Sequence, residues 1–478
     1  MKIIRKILCL PEAKQEEKVE NEIISQYIET STIHGISKIN HSKVSYFRIF
    51  WLVIFFAFVG SLSINSFKIS RKLFAYEHVT VESDSIQQGS MEFPTVTICN
   101  SNPYPMNKLL PLMREINPYV TKPEGNARIK EFAETFHAVT NHLAKKRNLN
   151  LSMYGQDFQS FSAPQQCVFN HKECNANLSQ ITLPEGGNCF VFNNNGHARQ
   201  SRPGVDFGFK IFVDIDQENY LPYSTSIYPV GVKLTINAAG NPTEKQILAS
   251  PNQLTRIVIQ KTKYHRLKSP YQDNCTDDGA GLKWTSGNYS VKSCLSWCYI
   301  SKMREECGFV SDSVSIFARH FLNLTLKFAE TTEEISCINS YDLAYSNGRF
   351  RCDCPPLCEE VIYTTSVSTA LWPSKPEKKF YSQILRETFN VSTLTEQYIS
   401  DNIVGIHITF EDFTVKSTIH KEAYDLTMFC SELGGNFSLW IGASIFSLLE
   451  LAEFLMNLCC GIVYKLFCGK KKNKSTTN

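Results

Sequence analysis

The chain has 478 residues, 43% of them hydrophobic and 12% aromatic, enough to bury a large core and more than one average domain. Its 49 Lys and Arg nearly balance 46 Asp and Glu; with no basic-aromatic stripe along the chain, nucleic acid is not an expected partner. No nucleophile elbow, phosphate-binding loop, dinucleotide fingerprint or zincin helix is present, and the histidines are scattered. An enzyme is therefore not expected, and neither is a cofactor or a bound metal.

Residues 1–45 are polar and charged apart from their start and read as a partly disordered cytoplasmic N-terminus. They include STIHGISKIN, from Ser31 to Asn40. A first membrane span is predicted over residues 46–67. From Ile49 to Phe67 there is no charge, and at ~1.5 Å per residue this stretch crosses roughly 30 Å of hydrocarbon. It starts too far into the chain and is too long for a cleaved leader, and no small-residue cleavage site follows. It reads as a signal anchor. Lys38, Lys43 and Arg48 precede it, and Lys465, Lys470, Lys471, Lys472 and Lys474 follow a second apolar stretch. The excess of positive charge places both termini in the cytoplasm, although Lys68, Arg71 and Lys72 oppose that bias. Residues 68–426 are then extracellular.

Within that region, His78 to Cys99 alternates like a strand. Residues 105–150 are richer in helix formers, notably NARIKEFAETFHAVTNHLAKK. A disulfide-clipped loop is expected from Cys167 to Cys189. Strands are expected at Val205–Asp216, Gly231–Asn237, Gln253–Leu267 and Asn402–His420. The block from Cys275 to Cys358 is dense in cysteine, with two helical pieces. Strands on either side of this block are expected to share one sheet that continues into both spans, in a mixed α+β domain.

Twelve of the 17 cysteines lie between the spans: Cys99, Cys167, Cys174, Cys189, Cys275, Cys294, Cys298, Cys307, Cys337, Cys352, Cys354 and Cys358. An even set in an extracellular region implies disulfides. Zinc is the alternative suggested by Cys294-x3-Cys298 and CDCPPLC, but no histidine lies in either cluster. Glycosylation sequons fall at Asn150, Asn177, Asn288, Asn323 and Asn390. A further sequon at Asn274 carries Cys275 in its middle position and is the poorest. Cys9, Cys459, Cys460 and Cys468 are expected at the cytoplasmic side, free or palmitoylated.

The second apolar stretch, Leu433 to Tyr464, carries only Glu450 and Glu453 as charges. A straight helix of this length runs ~48 Å, so it must tilt, break or project beyond the bilayer. Gly442-Ala443-Ser444 is the expected break. A carboxylate inside a span nearly always faces a bundle interior or a cavity, and rings of carboxylates and carbonyls select cations. A small-residue packing face accounts for LGGN and GAS but not for the two glutamates. Two spans per chain cannot enclose a pore, so several copies are required.

These residues resemble the epithelial sodium channel, degenerin and acid-sensing ion channel family over nearly the whole length. The resemblance is carried by His34-Gly35, FPTVTICN at Phe93–Asn100, DIDQENYLP at Asp214–Pro222, the cysteine series, and LGGNFSLWIGAS ahead of LLEL. It implies a trimer with a palm sheet, finger, knuckle, thumb and β-ball. It also implies a sodium-permeable, amiloride-sensitive channel of the plasma membrane, surrounded by lipid. The second transmembrane segment is then 427–464 and the cytoplasmic tail 465–478. Gly442, Ala443 and Ser444 match the selectivity tract, with Gly434, Gly435, Glu450 and Glu453 along the pore. His34, Gly35, Ser431, Tyr76, His78 and Tyr271 match gating positions, the two tyrosines as an aromatic contact at the wrist, and Ser438 matches an amiloride position.

The cysteine pairing implied is Cys99–Cys189, Cys167–Cys174, Cys275–Cys358, Cys294–Cys354, Cys298–Cys352 and Cys307–Cys337. Phe309 stands where relatives often have a further cysteine, and Cys430 has no partner in the scheme. The finger stretch Pro222–Gly231 has no acidic residue, and Asn339 and Leu343 fall near the two thumb positions where acid-sensing members carry carboxylates. The pattern looks most like the cnidarian neuropeptide-gated branch. It implies homologous subunits as partners, an Arg-Phe-amide peptide as agonist, and sodium, with calcium if the pore ring admits it, as the permeant ion. Constitutive or mechanical gating, proton gating, and a subunit silent without siblings are the alternatives.

Overall fold

A computed structural model describes residues 24–25, 27–33, 35–42, 44–119, 151–157, 162–174, 177–183, 186–220, 229–238, 245–277, 289–310, 327, 331–389 and 395–468. The chain divides into two compact units, one of residues 1–79 with 422–478 and one of residues 80–421. In chain order, helices α1 (Ile36–His41) and α2 (Ser45–Leu73) come first. Strands β1 (His78–Ile86), β2 (Met91–Glu92) and β3 (Thr95–Asn100) lead to helix α3 (Met106–Ile116). Strands β4 (Ser162–Phe169), β5 (Lys172–Glu173), β6 (Leu178–Leu183), β7 (Gly187–Phe192) and β8 (Arg199–Gln200) follow. After them come β9 (Phe209–Asp214), β10 (Val232–Asn237), β11 (Gln246–Ala249) and β12 (Gln253–His265). Helices α4 (Val291–Cys307) and α5 (Thr332–Ser346) precede β13 (Glu359–Leu371). Helices α6 (Lys375–Phe389) and α7 (Glu396–Asn402) precede β14 (Ile403–Glu422). Helices α8 (Leu426–Ile441) and α9 (Ile445–Cys468) close the series.

The described residues of the larger unit form two large sheets and a small one that pairs β2 with β8. One large sheet has the order β13-β12-β14-β9-β4-β5, with β1 added on β14; the other has the order β11-β10-β3-β7-β6. Strand β12 precedes the cysteine-dense block and β13 and β14 follow it, so strands from both sides share a sheet, as the sequence suggests. β12 and β14 run parallel, whereas β13 and β9 flank them antiparallel. Strands β9 and β10 alternate buried and half-buried residues, the pattern of a sheet with one face in a core. Strand β3 and Ile403–Phe410 of β14 are buried throughout, although they include the polar residues Thr95, Thr97, Asn100, His407 and Thr409. The core holds Phe93, Phe192, Phe209 and Phe410. Phe192 stacks on Phe209 at 4.4 Å between centroids, and Phe93 meets Phe169 edge-on at 4.9 Å. Each such buried ring contributes on the order of 1.5–3 kcal/mol.

The stretch from Cys167 to Cys189, expected as a loop, is mostly strand. The Cys167–Cys174 disulfide closes the β4–β5 hairpin. Its two turn residues, Asn170 and His171, both have positive φ, 53° and 61°, the geometry of a tight hairpin turn. β6 and β7 then form a second hairpin. β6 is half-buried along most of its length and β7 buried throughout, so neither shows the two-residue alternation that marks a strand in sequence. Gly187 is required here: it has φ 63°, and a Cβ would collide with the Pro103 carbonyl oxygen. The helix expected at NARIKEFAETFHAVTNHLAKK lies outside the described residues.

The two helical pieces of the cysteine-dense block are α4 and α5. Each starts with a reciprocal cap, Ser290 with Ser293 and Thr331 with Glu334. Helix α4 ends on Gly308 at φ 76°. Between them lie Ile300, Met303, Ile338 and Tyr341. The structure brings together the six cysteine pairs named above: Cys99–Cys189, Cys167–Cys174, Cys275–Cys358, Cys294–Cys354, Cys298–Cys352 and Cys307–Cys337. Three of them staple α4, two to the 352–354 segment and one to α5. Cys430 and Cys459 are free and exposed.

The smaller unit contains α1, α2, α8 and α9. Helix α2 is 29 residues long and apolar enough to cross a membrane. It outruns the expected 46–67 span by a polar turn that carries Lys68, Arg71 and Lys72. Only Leu62 and Ile69 of α2 are buried. Phe58 of α2 meets Trp440 of α8 edge-on at 5.8 Å. The N-terminal segment is not irregular throughout, since residues 27–30 and α1 are helical.

Candidate pore and gating elements

Helix α8 stops at Gly442, which adopts φ 64° and ψ 23°. That left-handed conformation suits glycine and ends the helix. The Gly442 N–H donates to the Ser438 carbonyl at 3.0 Å and the Ala443 N–H to the Phe437 carbonyl at 3.2 Å, satisfying carbonyls that would otherwise be left open. Helix α9 is then started by serine. The Ser447 N–H donates to Ser444 Oγ at 3.4 Å, and the Ser444 N–H donates to Ser447 Oγ at 3.0 Å. A glycine stop followed at once by a serine start explains why the sequence breaks here. The two helices bend by 77° at this break. Of the three ways to fit an overlong stretch, the chain takes the break. Ala443 is buried and Ser444 is exposed.

Below the break, Glu450 is half-buried and Glu453 exposed. Glu450 is held by a residue that sequence reasoning missed: Thr32 donates to its Oε2 from the backbone N–H at 3.2 Å and from Oγ1 at 3.1 Å. The Thr32 hydroxyl also lies 2.5 Å from the hydroxyl of Ser447, itself buried. Ser444, Ser447 and Glu450 recur every three residues, a face signal that could have been read; the partnership with Thr32, 415 residues from Ser447 in sequence, could not. Tyr27 stacks on Phe454 at 4.4 Å, one turn further along. Gly35 has φ 95°, with Phe55 3.4 Å from the position of a Cβ. His34 lies outside the described residues.

On α8, Ser431 in its first half and Ser438 one turn before the break are exposed, and a Cβ at Gly434 or Gly435 would meet nothing within 4 Å. Glu432 is engaged by Lys72 of α2 at 3.8 Å and accepts from the Tyr424 hydroxyl at 2.9 Å. Tyr76 occupies a left-handed turn after α2, φ 49°, with its ring edge-on to Phe74. His78 opens β1.

In the larger unit, Tyr271 sits in a turn after β12, where its carbonyl accepts from the Asn274 N–H at 3.1 Å. The same turn presents Asp273, which lies 2.6 Å from His420 near the end of β14 and accepts from the Leu267 N–H. Asn339 and Leu343 are exposed on α5, and Asp342 accepts a hydrogen bond from the Tyr299 hydroxyl. Burial, reinforced by that carboxylate, pushes the Tyr299 phenol well up.

The titratable group that stands out is Asp214, at the end of β9. Burial raises its pKa to about 6. The Tyr398 hydroxyl of α7 donates to it at 2.7 Å and the Asp216 N–H at 2.9 Å, partly offsetting that rise. His407 on β14 is pushed the other way, to about 4, by burial and the Lys210 charge. Lys261 is almost wholly buried and pairs with Glu92 at 2.6 Å, which holds the Glu92 carboxyl below the usual range. Of the expected glycosylation sites, Asn177 is exposed; Asn150, Asn288, Asn323 and Asn390 lie outside the described residues.

A family model for the amiloride-sensitive sodium channel matches residues 27–454. The chain is 25% identical to acid-sensing ion channel 2 of Homo sapiens over 477 residues, covering 94% of this chain and 89% of that one. It is 26% identical to acid-sensing ion channel 1 of Gallus gallus over 464 residues, covering 90% and 83%. It is 24% identical to the bile acid-sensitive ion channel of Homo sapiens over 460 residues, covering 93% and 87%. A match that takes in the first apolar helix, the disulfide-bonded sheets and the broken second stretch means that the chain belongs to the amiloride-sensitive sodium channel family, whose members are ion channels of the plasma membrane and not enzymes.

Proposed function

We propose that the chain is one subunit of a trimeric, sodium-permeable and amiloride-sensitive channel opened by an extracellular peptide of the Arg-Phe-amide type. Both termini are cytoplasmic, and residues 68–426 face outward. The observation that carries the pore assignment is the 77° break at Gly442–Ser444 with the half-buried Glu450 after it. Irregular backbone at membrane depth is tolerated where it lines water or is buried in protein. Three copies would turn Gly442, Ala443 and Ser444 into a ring, with Gly434 and Gly435 on the outer side and Glu450 and Glu453 drawing cations from the inner side. Motion of the palm would reach the helices through the Tyr76 wrist and the Tyr271 turn. Ser431, His34 and Gly35 would set the open probability, and Ser438 would hold amiloride.

Peptide gating rests on what the sequence lacks. The finger stretch Pro222–Gly231 has no carboxylate, and the nearest thumb carboxylate, Asp342, is already engaged by Tyr299. A second reading, proton gating, is favoured by Asp214, whose pKa of about 6 lies where extracellular acid titrates, and by acid-sensing ion channels among the relatives. Whole-cell recording separates the two. The chain should carry current when Arg-Phe-amide peptides are applied, alone or with a sibling subunit, and none at pH 6. Current to acid without current to peptide would reverse the order.

A further inference from the structure

Beside the β6–β7 hairpin lies a cleft of about 490 Å³, within the ~300–1,000 Å³ of small-ligand sites. It is lined by Asn177 and Ser179 and by Asn194, Asn195 and His197 of the following turn, with the buried Asn193 and the apolar Leu178, Phe192 and Ala198 completing the lining. The turn is fixed. Asn193, at φ 58°, donates its amide N–H to the Phe93 carbonyl at 2.6 Å and accepts from the Ala198 N–H at 2.8 Å. Asn195 accepts from the His197 N–H at 3.3 Å through its carbonyl oxygen, and its NH2 group takes no part in that bond.

The lining has no Asp, Glu, Lys or Arg. A cationic peptide would find no carboxylate there to pair with. Carboxamides, which both donate and accept, suit a neutral ligand rich in hydroxyl and acetamido groups, and the apolar part of the lining suits the C–H face of a sugar ring. The sequence offers an attachment point for a ligand of that class at the rim: Asn177-Leu178-Ser179 is a sequon, and Asn177 is exposed. The Asn177 backbone is also held in place, its N–H donating to the Cys174 carbonyl at 2.9 Å, next to the Cys167–Cys174 disulfide.

We propose that this cleft seats the first N-acetylhexosamines of a glycan carried by Asn177 itself. The sugar is added to the unfolded chain and packs onto the hairpin as β6 pairs with β7, covering the Asn193–His197 turn. The inference rests on residues 68–426 facing outward.

The test is native deglycosylation. The full chain, expressed in cells with N-glycosylation and extracted in detergent, is treated with peptide-N-glycosidase before and after denaturation, and each sequon is followed by mass spectrometry. At Asn177, release should be about tenfold slower from the native than from the denatured protein, because the enzyme must wait for the seat to open. The N194A variant, altered only at an exposed turn residue, should speed native release with an unchanged melting temperature, and an unchanged release rate would overturn the seat. An unmodified Asn177 in a chain glycosylated elsewhere, or native release as fast as denatured, would overturn the seat. A chain modified at no sequon would overturn the outward assignment, and the seat with it.

Discussion

The two compact units differ in what they bury. In the unit of residues 80–421, phenylalanines such as Phe190, Phe192, Phe209 and Phe410 are at most 1% exposed. In the unit that holds α2, α8 and α9, the buried apolar side chains among the described residues are Leu62, Ile69 and Ala443, while Phe56 is 66% exposed and Ile445 76%. A water-soluble chain rarely leaves so much apolar surface uncovered. The first unit supplies its own core, and the second leaves most of its apolar helix surface uncovered.

That contrast can be broken by mutation. The largest effect is expected in the first unit: Phe410→Ala should cost on the order of 3–5 kcal/mol and abolish a cooperative melting transition in detergent-solubilised protein. Phe56→Ala, on the outside of α2, should shift the same transition by no more than about 0.5 kcal/mol. A comparable loss from both would erase the distinction between the units.

Next in size are the staples. Opening Cys298–Cys352, whose partners are 54 residues apart, with paired serines should cost about 2–4 kcal/mol and lower the melting temperature. Cys430→Ser, at a free exposed position, should leave it unchanged.

A pH effect comes third. Asp214 binds its proton more tightly folded, at about 6, than at its ordinary value of 3.8. Its contribution to stability is therefore complete below about pH 4 and lost as pH rises through 6. Asp214→Asn should flatten the dependence of melting temperature on pH across that window, with Tyr398 still able to donate to the amide oxygen. An unaltered profile would show that Asp214 is not the titrating group. The smallest effect belongs to Lys72→Ala, since its pair with Glu432 is exposed on both sides and such pairs are worth about 0–1 kcal/mol.

The sequence made legible what depends on residue type and short-range period. Hydropathy located α2 and the broken second stretch, alternation located β9, β10 and β12, and glycine and serine marked the break at Gly442–Ser444. It did not show the β4–β5 and β6–β7 hairpins: β5 has only two residues, β6 and β7 do not alternate in burial, and the Asn170-His171 turn uses two non-glycine residues at positive φ. Nor did it show the elevated pKa of Asp214, because burial is set by the packing of α7 against β9. Thr32 was missed for the same reason: a threonine in a polar segment has no signal of its own, and it gains meaning only where it meets Ser447 and Glu450.

The central claim is that Gly442–Ser444 forms the narrow, ion-selecting part of a cation pathway. The direct measurement is the reversal potential under bi-ionic sodium and potassium in channels carrying Ser444→Leu, recorded with whichever agonist opens the parent. A shift towards equal permeability, with surface expression intact, is the result expected. Robust current at an unshifted reversal potential would place the selecting ring elsewhere.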